Sequence, residues 1–542
     1  MPLSKNQEIK LHIDSVSSEG SGVGRYDGQA VFVSGAAEGD ELFVHIIKAK
    51  KTYAVGKIKE ILKPSKDRIP VDCSYFNQCG GCVYRHISYD AEKRIKTQKV
   101  KDAFKRIGHI DIPVREIITA DTDRYRNKAE YPVGRTENGV QIGFYANRSH
   151  RIIDAEDCLL QPAEFAEIVE IVRKWILENH VFVWNSETGE GLLRHIYIRK
   201  GFVSGEIMVC LVVNGEKIPN DKYLIDELSK IEGVKSIALN VNTANTNVIL
   251  GDRVKTLWGS EKISDTLCGV EIELSPLSFY QVNHDGAELL YKKAAEYAGL
   301  SGSETVIDLY CGAGTIGLSM AHKAKRVIGV EIIPEAVEDA KKNAERNGIG
   351  NAEFYCADAS AAVKMLRDKD IKPDVVLLDP PRKGCSREVL ACVAEMNPDR
   401  IVYISCDVST QSRDCAILKD LGYEPTEATP VDMFPRTSHV ETVVQLVRKK
   451  PDTYIDITVD MDELDLTSSE AKATYDEIKD YIFDKHRVKV SSLYVAQVKQ
   501  KHGIIERDCY NNSKKDNPKQ PQCPPEKVKL IEEALRHFKM IP

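Results

Sequence analysis

The sequence predicts a protein of several domains, with a small N-terminal β-barrel, an α+β central region, an α/β domain built on a doubly wound parallel sheet, and a small helical C-terminal extension. The chain has 542 residues, whereas one domain usually takes roughly 100–200. Short apolar stretches separated by glycine-rich turns fill residues 8–62, a pattern typical of a small barrel. Helix and strand patterns alternate from about 286 to 448, which indicates βαβ units.

Composition shifts and charged or proline-containing stretches set the predicted boundaries. Lys449-Lys450-Pro451 separates the α/β domain from the last block, which contains three helix-like stretches. The predicted domains are therefore 1–64, 65–285, 286–449 and 450–542.

Composition excludes several classes of protein. Hydrophobic residues make up 42% and charged residues 29% of the chain, which is ordinary for soluble globular proteins. No apolar run approaches the ~18 residues that span a bilayer, and the N-terminus lacks the apolar segment of a secretory signal. We therefore expect a cytoplasmic protein, without a membrane partner and monomeric.

The charge of the chain is unevenly distributed. Residues 1–151 carry 26 Lys and Arg against 19 Asp and Glu, so they sum to +7, while the whole chain sums to −7. A basic N-terminal part on an acidic body favours a partner that bears phosphate. A chance imbalance of the surface is the alternative.

A glycine-rich loop lies between a predicted strand and a predicted helix. Gly312, Gly314 and Gly317 have the spacing of a nucleotide-binding turn, in which the backbone can approach a ligand closely. Glu331 ends the next predicted strand, where an acid can accept hydrogen bonds from both ribose hydroxyls. The pattern fits a dinucleotide or S-adenosylmethionine, and glycines that only let the helix pack on the sheet are the alternative.

Two further strand ends favour S-adenosylmethionine. Asp358 follows the third strand, where it could accept from an adenine amino group. The fourth strand ends in Asp379-Pro380-Pro381-Arg382, and the prolines force an extended turn at the ligand-binding edge of the sheet. An Asp-Pro-Pro turn there is a feature of S-adenosylmethionine-dependent methyltransferases that act on bases, and not of dehydrogenases.

A thiol and a carboxylate supply the remaining chemistry. Cys406 ends the fifth predicted strand at the same edge. Carbon-5 of uracil is a weak nucleophile until a thiolate adds at carbon-6, and a base must later remove the carbon-5 proton. Glu441 is the candidate base and His439 the competing one.

These motifs together resemble the RNA uracil-5-methyltransferase family. The resemblance covers about residues 1–448 and rests on segments 278–283, 308–317, 379–382, 405–407 and 439–442. It implies a Rossmann-like class I methyltransferase domain, with Cys406 as nucleophile and Glu441 as base. Phe279 and Arg382 would lie near the target base, where an aromatic ring can stack on it. The cofactor-binding residues would be Gln281, Tyr310, Gly312, Gly314, Thr315, Glu331, Asp358 and Asp379.

A separate cysteine cluster indicates a metal centre. Three cysteines lie close together and a fourth is distant, whereas structural zinc usually pairs two cysteine doublets. The spacing therefore favours a 4Fe-4S cluster over zinc, and it resembles the iron–sulfur branch of the family, which acts on 23S ribosomal RNA. Methyl transfer needs no electrons, so a structural or RNA-contacting role is expected, and unliganded thiols are the alternative. The four residues are Cys73, Cys79, Cys82 and Cys158.

RNA contacts are expected from the N-terminal half. The barrel resembles a TRAM domain, and the basic stretch 91–106 together with Arg124, Arg126 and Lys128 extends a basic surface with interleaved aromatic residues. A solvated charged face is the alternative for each residue. Since extruding a base costs least in a loop, we expect a loop uridine.

The substrate is expected to be 23S ribosomal RNA. The rivals are transfer RNA, a non-catalytic RNA-binding ribosome assembly factor, and an amino-methyltransferase that needs no cysteine. The extension 450–542 exceeds the usual family length, and we expect residues 511–519 to touch RNA. Cys509 and Cys523 do not by themselves form a metal site.

Overall fold

The structure, a computed structural model, describes residues 3–137, 139–369, 371–449, 475–502, 504, 523–538 and 540–541. The chain divides into two compact units, residues 1–450 and 451–542. Within the described ranges, every helix is too short or too polar to cross a membrane.

The N-terminal region is a six-stranded sheet whose strands follow the order β1-β5-β6-β4-β3-β2. Alternate residues such as Ile9, Leu11, Leu42 and Val44 point into one small apolar core. Gly24 faces the neighbouring strand so closely that a Cβ would lie 2.1 Å from the His12 carbonyl oxygen. The strands are β1 (Glu8–His12), β2 (Ser15–Val16), β3 (Gly22–Tyr26), β4 (Gln29–Val33), β5 (Glu41–Ala49) and β6 (Tyr53–Lys63).

The basic stretch forms helix α1 (Tyr89–Ala103), which continues into a π-helical turn, Phe104–Gly108. The predicted boundaries placed this stretch in the central domain. The structure instead packs Val100, Phe104 and Ile117 into the apolar core of the α/β domain. The short strand β7 (Ile118–Thr119) joins the edge of that domain's sheet.

The central region is a seven-stranded sheet with the strand order β10-β9-β8-β11-β12-β13-β14. Two helices pack on this sheet and form one apolar core with it. Trp175 lies in that core and donates its indole N–H to the Pro219 carbonyl oxygen at 2.9 Å. The elements are β8 (Lys128–Thr136), β9 (Gly139–Tyr145), β10 (Ile152–Asp154), α2 (Glu164–Glu178), β11 (Leu193–Lys200), β12 (Ile207–Val213), α3 (Asp221–Leu228), β13 (Val234–Val241) and β14 (Arg253–Gly259).

A hairpin and a helix lead into the α/β domain. Strands β15 (Ile263–Leu267) and β16 (Val270–Leu274) pair antiparallel, and α4 (His284–Ala298) follows. Both share one apolar cluster with the α/β sheet, so this packing begins before the predicted boundary at 286.

The α/β domain has eight strands in the order β19-β18-β17-β20-β21-β23-β22-β7. The first five are parallel, and the order reverses between β17 and β20, as the alternating pattern predicts. The elements are β17 (Thr305–Leu309), α5 (Thr315–Met320), β18 (Arg326–Glu331), α6 (Pro334–Arg346), β19 (Ala352–Cys356), α7 (Ala359–Asp368), β20 (Val375–Leu378), α8 (Arg387–Glu395), β21 (Arg400–Ser405), α9 (Val408–Asp420), β22 (Tyr423–Asp432) and β23 (Glu441–Arg448).

The second unit contains helices α10 (Tyr475–His486), α11 (Ser492–Lys501) and α12 (Pro525–His537). They enclose their own apolar core, which includes Ile482 and Leu535. Residues 511–519, for which RNA contact is expected, and Cys509 lie outside the described residues.

Candidate active site

The parallel strands place the predicted cofactor residues on one edge of the sheet. Leu309 pairs with Val330 on one side and with Leu378 on the other, at the carboxyl end of each strand. The residues that follow these strands therefore leave the sheet side by side. This edge is where open α/β sheets bind their ligands.

The strand pairing next to it brings together the thiol and the carboxylate. Strands β21 and β23 are antiparallel neighbours, and Ser405 pairs with Thr442. Cys406 directly follows Ser405, and Glu441 directly precedes Thr442, so the register sets these two residues opposite each other. Two side chains 35 positions apart in sequence thereby share one site.

The Cys406 thiol is half-buried. Burial raises its pKa to about 11, and the negative charge of Glu441 acts in the same direction. Arg382 lies within hydrogen-bonding reach of the thiol and lowers its pKa. The exposed guanidinium of Arg382 is therefore the group that favours a thiolate here.

The Glu441 carboxyl is only 6% exposed. Burial and the charge of Asp379 together raise its pKa to about 8, against the opposing charge of Arg382. Burial likewise raises the pKa of Asp379 to about 7. His439 is exposed, and partial desolvation of its ring together with the charge of Arg382 lowers its pKa. The ionised form of a carboxyl with a pKa near 8 is a stronger base than an ordinary carboxylate, although most of the group carries a proton at pH 7.

The loop that carries Arg382 is fixed by a buried carboxylate that sequence reasoning missed. The backbone N–H of Cys385 and the hydroxyl of Tyr403 both donate to Asp414, at 2.8 and 2.7 Å. The Thr410 hydroxyl donates to the Arg382 carbonyl oxygen at 3.1 Å. Asp414 lies on the buried face of α9, and an acid among apolar helix positions is the signal that could have revealed it.

The glycine loop after β17 fits S-adenosylmethionine. Gly312 has φ 54°, and a Cβ there would meet nothing within 4 Å, so open space faces its backbone. Glu331 accepts hydrogen bonds from the Gly312 and Ile332 amides at 3.1 and 2.7 Å. Asp308 is buried with one carboxylate oxygen unpaired, and burial raises its pKa to about 7. The open space at the Gly312 backbone leaves room for a ligand, and the carboxylate oxygens of Glu331 and Asp308 can accept hydrogen bonds from ribose hydroxyls and an ammonium group.

Four other predicted cofactor residues follow strands β17 and β19 at the carboxyl edge of the sheet. Gly314 has φ 80° and directly precedes α5, and the hydroxyl of Thr315 in the first position of that helix bonds the Tyr291 hydroxyl at 3.0 Å. Tyr310 is half-buried with φ 66°. Asp358 caps α7 by accepting from two backbone amides.

The segment before α4 presents one aromatic ring outward. Phe279 is 75% exposed, whereas the neighbouring Tyr280 is buried and donates to Asp265 at 3.0 Å. The Gln281 carbonyl oxygen accepts from Asn127 at 2.7 Å. Hydrogen bonds of the two following residues fix this segment, so the exposed phenyl ring of Phe279 is well placed to stack on a base.

The four clustered cysteines line one cavity of about 340 Å³. Burial raises the pKa of three of the thiols. Among the described residues, no three His, Cys, Asp or Glu side chains converge closely enough for a single metal ion. An iron–sulfur cluster would bind thiolates that are spread around several iron atoms, and its presence here stays a prediction. The residues are Cys73, Cys79, Cys82 and Cys158.

The predicted RNA-contacting cations lie around the same cavity. Arg124 binds both carboxylate oxygens of Asp157 at 2.7 Å and donates to the Cys158 carbonyl oxygen. Arg126 and Lys128 line the cavity, and Lys128 pairs with Glu130 at 3.0 Å. Arg124 thus fixes the backbone around Cys158, the fourth cysteine. Contact of Arg124, Arg126 and Lys128 with RNA stays a prediction.

The sheet order, the open glycine loop after β17 and the acid that ends β18 define a class I S-adenosylmethionine-dependent methyltransferase. The profile of the tRNA (uracil-5-)-methyltransferase family matches residues 88–449, and that of the TRAM domain matches residues 2–59. The chain belongs to this family, and it is an RNA (uracil-5-)-methyltransferase that uses S-adenosylmethionine.

Relatives and a solved structure agree with this assignment. An uncharacterized RNA methyltransferase of Clostridium tetani is 44% identical over 82% of this chain and 97% of its own length. One of Halalkalibacterium halodurans is 45% identical over 83% and 98%. The tRNA (uracil-54, C5)-methyltransferase of Pyrococcus abyssi, solved with S-adenosyl-L-homocysteine, is 28% identical with a TM-score of 0.65, covering 81% of this chain and 100% of that one.

The charges around Cys406 predict opposite effects of two substitutions on its thiol pKa. Glu441→Gln removes a negative charge and should lower the pKa, whereas Arg382→Met removes a positive charge and should raise it, each by about one unit. The alkylation rate of Cys406 by iodoacetamide against pH, followed on its peptide by mass spectrometry, measures this. Glu338→Gln, an exposed carboxylate on α6, is the control and should change nothing. Shifts of the same sign in both variants would contradict the geometry.

Proposed function

We propose that this protein methylates carbon-5 of a uridine in 23S ribosomal RNA through a covalent bond between Cys406 and carbon-6, with Glu441 as the base. The register of β21 and β23, which sets Cys406 opposite Glu441, is the observation that carries the proposal. An amino-methyltransferase would have no use for a thiol beside a buried carboxylate of raised pKa.

Each residue has a defined task in this reaction. Cys406 adds its thiolate to carbon-6, which moves an electron pair into the ring and makes carbon-5 nucleophilic. S-adenosylmethionine, when bound, would supply a methyl group on a positively charged sulfur; carbon-5 takes this group, and the electron pair of the broken carbon–sulfur bond stays on the sulfur. Glu441 then takes the carbon-5 proton, the electron pair re-forms the double bond, and the bond from Cys406 to carbon-6 breaks. Arg382 stabilises the thiolate before addition and after expulsion.

The cysteine cavity supports the choice of ribosomal RNA. The four thiols match the spacing of the iron–sulfur branch and line one cavity, and we propose that they hold a 4Fe-4S cluster. Thiolate ligation by a cluster would relieve the cost of the buried thiols that must ionise. Transfer RNA is the second candidate, favoured by the likeness to the Pyrococcus abyssi enzyme over its whole length.

A fluorinated substrate tests the covalent step and the substrate together. With 5-fluorouridine-substituted RNA, no proton can leave carbon-5, so the adduct should persist after methyl transfer and shift the protein on a denaturing gel. We expect the shift with ribosomal RNA and its loss in Cys406→Ala. Cys356→Ala, which removes an exposed thiol at the end of β19, should still form the adduct.

The same gel distinguishes the alternatives. A shift with transfer RNA alone would replace the ribosomal substrate. Methylation of unsubstituted RNA without any shift would overturn the covalent mechanism.

The raised pKa of Glu441 predicts the pH dependence of adduct resolution. Glu441 is protonated below its pKa of about 8 and ionised above it. Release of methylated RNA in a single turnover should therefore rise about tenfold per pH unit below 8 and level off above it. Rapid quench between pH 6 and 9 measures this, and a profile that is flat over that range would exclude Glu441 as the base.

Metal analysis tests the cluster. Protein isolated without oxygen should contain iron and sulfide in about equal amounts, near four of each per chain. Cys82→Ser and Cys158→Ser should lose both, whereas Cys268→Ser, a half-buried thiol outside the cavity, should retain them. One equivalent of zinc, or no metal, would contradict the proposal.

A further inference from the structure

A network of buried ion pairs holds the loop that leads to Glu441. This loop, residues 433–440, joins β22 to β23. Lys96 and Glu92 of α1 and Asp432 at the end of β22 form the network, and none of the three side chains is more than 1% exposed. Charges so completely buried are uncommon and need a specific reason.

Lys96 uses all three of its N–H groups here. It donates to Glu92 and Asp432 at 2.7 Å each, and to the Phe434 carbonyl oxygen of the loop at 3.1 Å. The Tyr89 hydroxyl donates to the other oxygen of Asp432 at 2.9 Å. The ammonium group therefore ties α1 to both the start of the loop and the strand before it.

The middle of the loop is strained and held from two sides. Arg436 has φ 70°, a left-handed conformation that a residue with a side chain adopts at a cost of about 1–3 kcal/mol. Its N–H donates to Glu92 at 2.7 Å, and its carbonyl oxygen accepts from the amides of Val83 and Tyr84 at 2.7 and 3.1 Å. Five residues after Arg436, the chain reaches Glu441.

A buried ion pair is weak support for stability, because the cost of desolvating both charges offsets their attraction. Its bonds are directional, however, and three acceptors around one ammonium group fix their relative positions. The network thus defines where the loop, and with it the first residue of β23, can lie.

We propose that Lys96 and Glu92 are positioning residues for Glu441. They hold the 433–440 loop so that the carboxylate of Glu441 faces the carbon-5 proton of the target base. This inference rests on the proposed function. Neither residue touches the reacting atoms. Displacement of Glu441 should slow proton removal while leaving thiol addition and methyl transfer in place.

The test is a charge-balanced double variant, Lys96→Met with Glu92→Gln, which removes one charge of each sign. With unsubstituted RNA and S-adenosylmethionine, we expect the covalent, methylated protein–RNA adduct to accumulate about tenfold above wild type on a denaturing gel. The KM for S-adenosylmethionine should stay within about twofold of wild type. A merely structural role would lower the amount of active protein without raising the adduct.

The matched control is Lys174→Met with Glu178→Gln, an exposed pair with the same four-residue spacing on α2. It should behave as wild type. If the double variant does not fold, the test uses Tyr89→Phe, which removes only the hydrogen bond from the tyrosine hydroxyl to Asp432. In this variant we expect the covalent adduct to accumulate about threefold above wild type. A slow variant without adduct, or wild-type turnover, would overturn the inference.

Glu441→Gln, run in parallel, separates this inference from the proposed function. No adduct in Glu441→Gln would contradict Glu441 as the base. Adduct in Glu441→Gln but not in the folded double variant would contradict only the positioning role of Lys96 and Glu92.

Discussion

The antiparallel pairing of β23 with β21 is the constraint on which the candidate active site depends. If all strands were parallel, only the segments that follow strands would reach the carboxyl edge, because every parallel strand begins at the opposite edge of the sheet. An antiparallel strand starts where its parallel neighbour ends. Glu441 therefore enters the site at the beginning of β23, beside Cys406 at the end of β21.

Burial then sets the chemical character of these groups. Glu441, Asp379 and Cys406 are acids in one poorly solvated place, and Arg382 is the cation that acts on both Cys406 and Glu441. Desolvation and mutual repulsion raise their pKa values, so that Cys406 and Glu441 are mainly protonated at neutral pH. Arg382 therefore needs a fixed position, and the bonds of Asp414 and Thr410 to its loop provide one.

The sequence predicts the strand ends well because their signals are local. Strand β18 ends at Glu331, as predicted, and the glycines, the Asp-Pro-Pro turn and the thiol all follow strands where the sequence predicts strand ends. The packing partner of α1 could not be predicted, because an amphipathic pattern shows that one face is buried but not against what. Lys96 and Glu92 have the spacing of an ordinary surface ion pair, and only the fold reveals that Asp432 and the loop enclose them.

Tritium release from RNA labelled at carbon-5 of its uridines tests the central claim most directly. The wild-type protein should release one tritium for each methyl group transferred, because the carbon-5 proton is lost to Glu441. Glu441→Gln should transfer methyl groups with little tritium release, since the proton stays on the adduct. Equal tritium release in both proteins would contradict Glu441 as the base, and methylation by the wild type without release would contradict carbon-5 as the site.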